Sequence, residues 1–359
     1  MICERNSERE VLFSFGLITD IQYADIDDRQ NFSKTKWRRY RNALVCLQEA
    51  VAQWKESKCT LAFIVQLGDV IDGFNSHLVD ASDNKRNFSK EALDTVLNEY
   101  SKLPHETPVF HNLGNHELYN FTRKELARSV LHPFNSCPSA SFLSLHQRHT
   151  VISKEERKPF YFSFTPHPKF CFVYLDSYDI SILGEDESSP RYKQGFEMLR
   201  KYNKNDDLQS PDGLCGLERR FVRFNGAIGT EQLLWLQSTL KKAEEQGQKV
   251  VIFSHVPIYP KMVDSMTILW NYEDVLEVLW QFRCVIACFH GHTHEYGYTV
   301  DKNGIHHYVF DAVIEAPLDS NAFATLHVKD DSIVIEGFGI VENQVLKFAK
   351  WNWYHLTNM

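Results

Sequence analysis

Asp20 and Gln22 stand just past the apolar run 11–18, and the same arrangement recurs four more times along the chain. Run 61–67 leads into Gly68-Asp69-Val70-Ile71-Asp72, and run 107–113 into Gly114-Asn115-His116-Glu117. Run 249–253 leads into Ser254-His255-Val256-Pro257, and run 284–290 into Gly291-His292-Thr293-His294. Carboxylates, amide oxygens and imidazoles in one set suit Mn²⁺, Fe or Zn²⁺ better than a pure oxygen set would, or a thiolate set. One carboxylate shared by two ions about 3.5–4 Å apart gives the clamp used for displacement at phosphorus. Taken singly, Asp-x-Gln reads as a turn, Gly-Asp as a loop start, His255 as a packed ring and Gly-His-Thr-His as a surface loop. All five in order, each after a strand-like run, point instead to a metal centre.

The elements that must position these residues follow from the spacing of apolar side chains. The runs are of strand length and rich in β-branched and aromatic residues, and a sixth lies at 169–175. Ligands bind at the carboxyl ends of strands in open α/β sheets, where all five sets fall. Between the runs, Trp37, Tyr40, Leu44, Leu47, Val51 and Trp54 repeat every three or four residues, which predicts an amphipathic helix over 34–56. A second helix is expected from an N-cap at Thr230 to a stop at Gly247, and a shorter one over 271–282. Segment 184–216, rich in Ser, Pro, Asp, Gly and Asn, reads as an insertion or lid with one helix at 190–202. Past 305 the pattern is β-rich, with a hairpin turning at Lys329-Asp330-Asp331-Ser332. His111 reads as a packing residue, and His306 and His307 as alternating on a late strand. The whole predicts one layered α/β domain over 1–359.

Composition narrows the function. The 359 residues carry a formal charge of -8, a poor balance for gripping a nucleic-acid polymer and one without a polybasic membrane patch. No apolar stretch reaches the roughly 20 residues of a membrane span, and the charged first ten residues do not read as a secretory signal. The eight cysteines form no CxxC pair, which suits free thiols in a reducing compartment. The expectation is a cytoplasmic, monomeric enzyme acting on small molecules.

Those five motifs resemble the calcineurin-type metallophosphoesterases. Their pattern is D-x-H, G-D-x-x-D, G-N-H-[DE], a lone H and G-H-x-H; here it reads DIQ, GDVID, GNHE, SHVP and GHTH over about 12–295. The resemblance implies an α/β fold of four layers, two facing mixed β-sheets flanked by helices. It also implies two divalent ions. One would take Asp20, Gln22, Asp69 and His294, the other Asp69, Asn115, His255 and His292, with Asp69 bridging. A water activated between them would attack phosphorus in line. His116, oriented by Asp72, would bind the phosphoryl oxygen or protonate the leaving group.

The departure is Gln22, where that pattern has His. Its amide oxygen is harder and a weaker donor than imidazole, which favours Mn²⁺, with Mg²⁺, Fe or Zn²⁺ as the other candidates. This variant, with LGDVIDG, SHVPIYP and WNY, resembles the manganese-dependent ADP-ribose/CDP-alcohol diphosphatases over nearly the whole chain. That resemblance implies cleavage of ADP-ribose to AMP and ribose 5-phosphate, and of CDP-choline-like compounds to CMP and the phospho-alcohol. For the nucleoside the candidates are Phe32 and the triplet Trp270-Asn271-Tyr272, which sit in polar loop sequence. A phosphomonoesterase or cyclic-nucleotide phosphodiesterase on the same site, and a non-catalytic scaffold of this fold, are the alternatives the motifs leave open.

Overall fold

Alternating runs of Phe, Val and Ile build two sheets whose inner faces are aromatic. The computed structural model describes residues 10–31, 33–80, 86–136 and 159–349. In chain order the strands begin with β1 (Phe13–Ile18), β2 (Arg29–Gln30), β3 (Trp37–Arg38), β4 (Leu61–Gln66) and β5 (Val109–His111). They continue with β6 (Phe162–His167), β7 (Phe170–Leu175), β8 (Lys249–Ser254), β9 (Val285–His290) and β10 (Gly297–Val300). The last are β11 (His306–Val309), β12 (Ala322–Val328), β13 (Ser332–Gly339) and β14 (Gln344–Lys347). One six-stranded sheet has the order β14-β13-β12-β1-β4-β5 and the other β10-β11-β9-β8-β7-β6. Both are mixed. β1, β4 and β5 run parallel in the first, and β7, β8, β9 and β11 run parallel in the second.

The sheets face each other across phenylalanines. Phe15 meets Phe172 at 5.5 Å, Phe63 meets Phe172 at 5.3 Å and Phe110 stacks on Phe164 at 4.5 Å, in the edge and offset geometries aromatic pairs prefer. The helices are α1 (Asn42–Glu56), α2 (Phe88–Tyr100), α3 (Asn115–Asn120), α4 (Arg123–Leu126), α5 (Pro133–Ser136), α6 (Pro190–Tyr202), α7 (Thr230–Glu245) and α8 (Tyr272–Leu279). α1 buries Ala43, Leu47, Ala50 and Trp54 against the first sheet, with Trp54 edge-on to Phe323 of β12. α7 packs on β8 of the second sheet, and α8 packs against α7. Helix, sheet, sheet and helix make the four layers the motifs implied.

Three boundaries differ from the sequence reading. The first helix begins at Asn42 rather than at 34, because Trp37-Arg38 pairs as β3 with Arg29-Gln30 and leaves Trp37 half exposed. The cap of α7 is Gly229 rather than Thr230. Its N–H is bonded from outside the helix by Asp179 Oδ2 at 3.1 Å. β5 is shorter than the run 107–113 that predicted it, three residues at 109–111. Strand β6 had no counterpart in the reading. By contrast α6 coincides with the helix expected inside 184–216, and the hairpin turns at 329–332 between β12 and β13. α6 packs a small cluster of its own, in which Leu199, Phe221 and Trp270 are buried. Among the described residues no helix is long and apolar enough to cross a membrane.

Candidate metal centre

The loops after β1, β4, β5, β8 and β9 meet at one edge, and backbone bonds hold them in register. Asp20 N–H donates to Gly68 O, Gln22 N–H to Asp69 O and Gly291 N–H to His255 O, at 3.1, 2.9 and 3.1 Å. Among the described residues six non-glycines have positive φ, and five of them are Asp20, Gln22, Asp69, His292 and His294, between 45° and 71°. Left-handed backbone is costly for such residues and gathers where the surroundings force it for function. Gly114 allows the closest approach: a Cβ there would lie 2.0 Å from Asp69 Oδ1.

The side chains converge as two triplets with a shared member. Asp69, His255 and His292 offer ligand atoms within 4.8 Å of one another, as do Asp20, Asp69 and His294. Gln22 lies inside this set, its Nε2 3.1 Å from Asp69 Oδ2 and 2.8 Å from His294 Nε2. Asn115 is buried beside it and receives the Tyr178 hydroxyl on Oδ1 at 3.2 Å.

Three features fit this cluster to cations. Gln22 Oε1 is buried without a hydrogen-bond partner, and Asp20 Oδ1 and His255 Nε2 are buried with only a long ion-pair contact of 3.4 Å, to His294 Nε2 and Asp69 Oδ2, a costly state for polar atoms unless something else satisfies them. Each imidazole is held by an outer acceptor that frees its other nitrogen: His255 Nδ1 by Leu67 O, His292 Nε2 by Asn225 Oδ1, His294 Nδ1 by Glu315 Oε1, each at 2.8 Å. Metal-ligating histidines are oriented in this way. Finally, the carboxylates are uncompensated. Burial alone would lower His255 and His294, but Asp69 beside the first and Asp20 and Glu315 beside the second push both up to about 9. Burial would likewise raise Asp69, and the imidazoles of His255 and His116 hold it well below the usual carboxylate range instead. Burial and the neighbouring His255 charge press His292 down to about 3. A site that draws protons to balance its carboxylates exchanges them for a divalent cation.

His116 sits at the rim, its side chain 13% exposed, with Nε2 4.0 Å from Asp69 Oδ2. Asp72 Oδ2 is 3.2 Å from Nδ1, but the donor bonded to Nδ1 is the Gly73 N–H at 2.8 Å. An Nδ1 that accepts places the neutral ring's proton on Nε2, the nitrogen facing the cluster. Asp72 therefore acts on the ring's charge more than on its tautomer. Burial lowers His116, and Asp69 with Asp72 outweighs burial and raises it.

Glu117, Tyr178, Asn225 and Glu315 had no role in the sequence reading. Glu117 accepts from Asp69 N–H, Val70 N–H and Gly114 N–H at 2.9, 2.7 and 2.8 Å, tying two of the loops together. Its place three residues after Gly114, where a helix-starting Glu bonds back to the cap, was the available signal. Asn225 and Glu315 lie far from the motifs in sequence and gave none.

The nucleoside candidates fare differently. Phe32 lies outside the described residues. Trp270 is 1% exposed in the cluster under α6 and donates Nε1–H to Val222 O at 3.2 Å, so neither ring face is open to a ligand. Both ends of the Asn271 amide are committed to the backbone of Ile228, and Tyr272 is buried in the core. Apolar packing claimed this triplet.

Residues 13–296 match the calcineurin-like phosphoesterase family model. The chain belongs to the calcineurin-like phosphoesterase family. Within that family it is 42% identical over 348 residues to a manganese-dependent ADP-ribose/CDP-alcohol diphosphatase of Bos taurus, covering 96% of each chain. It is 41% identical to the Homo sapiens protein of that name, over 98% of this chain and 96% of that one. The crystal structure of a dimetal phosphatase from Danio rerio superimposes with a TM-score of 0.83 at 37% identity, over 95% of this chain and all of that one. The similarity to these calcineurin-like phosphoesterases runs over nearly the whole chain.

Proposed function

We propose that the chain is a manganese-dependent diphosphatase. It hydrolyses ADP-ribose to AMP and ribose 5-phosphate, and CDP-alcohols such as CDP-choline to CMP and the phospho-alcohol. The observation that carries the site reading is the pair of buried triplets sharing Asp69. The substrate class rests on the names of the relatives at 34–42% identity.

Asp20, Gln22, Asp69 and His294 would hold one ion, and Asp69, Asn115, His255 and His292 the other. Gln22 holds Asp69 and His294 together through its amide nitrogen, and turning that amide presents the orphaned Oε1 in its place. Bound divalent ions supply activation of a water near neutral pH and charge stabilisation at phosphorus. The chain supplies the rest. Rigid loops fix the donors before substrate arrives, so little reorganisation remains for the transition state. His116 directs Nε2–H toward the cluster from the solvent rim, placed to bind a phosphoryl oxygen or protonate the leaving phosphate. Asp72 stabilises its charged form. Two divalent charges exceed those of Asp20 and Asp69, which leaves a field that draws an anionic diphosphate. The proposed setting is a cytoplasmic monomer, the whole chain working as one catalytic domain on small nucleotides.

The test uses metal-stripped protein, ADP-ribose or CDP-choline, and Mn²⁺, Mg²⁺ or Zn²⁺ in turn, with Asp69→Asn alongside. AMP and CMP should appear under Mn²⁺ and not in the variant. Survival of both compounds while a monoester or cyclic nucleotide is cleaved would overturn the substrate assignment.

A further inference from the structure

The Asn225 side chain is fully buried, and three of its bonds run to three different parts of the molecule. Its Oδ1 lies 2.8 Å from His292 Nε2, and its Nδ2 donates to Arg220 O at 2.9 Å and to Met266 O at 2.7 Å. This accounting leaves no freedom. With both amide protons given to carbonyls, the oxygen can only accept, so His292 must donate from Nε2 and keep its lone pair on Nδ1. A flipped amide would set the oxygen against two carbonyls and the NH₂ against an N–H. The two carbonyls belong to segments remote from the cluster. Arg220 closes the 3₁₀ turn Gly216–Arg220 that follows the α6 segment, and Met266 lies in the turn Ser265–Thr267. Neighbouring contacts tighten the same seam: Arg220 Nε–H donates to Trp270 O, and the Tyr178 hydroxyl shares its one proton between Asn115 Oδ1 at 3.2 Å and Phe224 O at 3.0 Å.

We propose that Asn225 is a positioning residue that sets the His292 tautomer for cation binding and couples the packing of the 216–225 segment to metal occupancy. This inference rests on the site reading above. Coupling is reciprocal: an ion that needs His292 in this tautomer stabilises the segment that supplies Asn225, and an anchored segment stabilises the ion.

Two variants separate the two halves of the bond network. Asn225→Ala removes the acceptor and both donors. Asn225→Asp keeps an acceptor for His292 and removes the donors to Arg220 and Met266. Mn²⁺ binding is read from the free-ion EPR signal, and segment packing from hydrogen exchange of 216–225 with and without Mn²⁺. Wild type should bind two ions, and Mn²⁺ should slow exchange of the segment. Asn225→Ala should weaken one of the two ions about 10–100-fold, the range for loss of such outer partners, and spare the other. Asn225→Asp should restore affinity to within a few-fold, while exchange of the segment stays fast whether or not Mn²⁺ is present. An Asn225→Ala protein with wild-type affinity for both ions, or an Asn225→Asp protein as weak as Asn225→Ala, overturns the inference and leaves the site reading intact. Wild-type protein that takes up no Mn²⁺ overturns both.

Discussion

Adding one methyl group at Gly114 should disable the cluster without replacing any side chain in it. A Cβ at this position would stand 2.0 Å from Asp69 Oδ1 and 2.6 Å from the Asp69 amide nitrogen. Ordinary carbon–oxygen contact needs roughly 3.2 Å, so Asp69 or its loop must give way by about 1.2 Å. Nothing nearby yields cheaply. Oδ1 accepts the His116 N–H at 2.8 Å, and the Asp69 and Gly114 amides share Glu117. A ligand shell tolerates about 0.2 Å, and a misplacement of about 1 Å at a reacting site costs on the order of 10²-fold in rate. Because Asp69 belongs to both triplets, Gly114→Ala should weaken both Mn²⁺ ions at least about 100-fold and lower turnover of ADP-ribose by at least that factor. The stability cost should be modest, about 1–3 kcal/mol for overpacking. Gly16→Ala is the control. Its methyl would meet Ile64 at 2.6 Å and Trp54 at 2.7 Å in the core, so it should lower the melting temperature comparably and leave Mn²⁺ uptake alone. EPR titration with thermal unfolding of the metal-free proteins reads both effects. Wild-type Mn²⁺ affinity in Gly114→Ala would refute the reasoning.

Other perturbations probe separate parts of the argument. His116→Asn should lower kcat by about 10²–10⁴-fold with Mn²⁺ uptake unchanged, measured by turnover and EPR on the same samples; loss of uptake would make His116 a ligand instead. Burial presses His111 down to about 4 from 6.5, so the unfolded chain takes up the proton first as pH falls. Stability is therefore present above pH 6.5 and drains toward pH 4, by about 2 kcal/mol between pH 7 and pH 5, and His111→Phe should flatten that slope in urea titrations. Arg123 is buried in a paired contact with Asp176, at 2.5 and 3.0 Å. Arg123→Ala should cost about 3–5 kcal/mol by urea unfolding, because it strips one partner from a buried charge pair.

What the sequence disclosed and what it hid divide along physical lines. Asp20, Asp69, His255, His292 and His294 were legible because each follows a strand whose apolar period is unambiguous, and because a metal site needs particular donor types. The strand–helix alternation predicted only a layered α/β domain, and the two facing sheets were implied by the family resemblance. Helix starts were less legible: a 3.6-residue period continues through Trp37 and Tyr40, yet the pairing of β2 with β3 claims Trp37 first. The nucleoside triplet failed more instructively. Aromatic residues in a polar loop suggested a binding wall, but among the described residues Trp270 is the largest side chain fully buried, filling the cluster beneath α6. Sequence shows that a Trp is present and not which surface it covers.

The outer partners were illegible in principle. Asn225 and Glu315 approach His292 and His294 across separations in sequence that no local pattern encodes, and an Asn before Gly reads as a turn wherever it occurs. Yet they decide how the visible residues behave. Without an acceptor on Nε2, His292 has no reason to keep its lone pair on Nδ1. Without Glu315 on Nδ1, His294 is free to turn its protonated nitrogen toward Asp20. The left-handed backbone at Asp20, Gln22, Asp69, His292 and His294, five of the six positive-φ non-glycines among the described residues, carries the same message. The donors are held in conformations they would leave if the loops were independent. Cross-loop bonds from Glu117, the Gly68 carbonyl and the Asp69 carbonyl keep them there, so the donor types are written in the motifs and their aim is written in the fold.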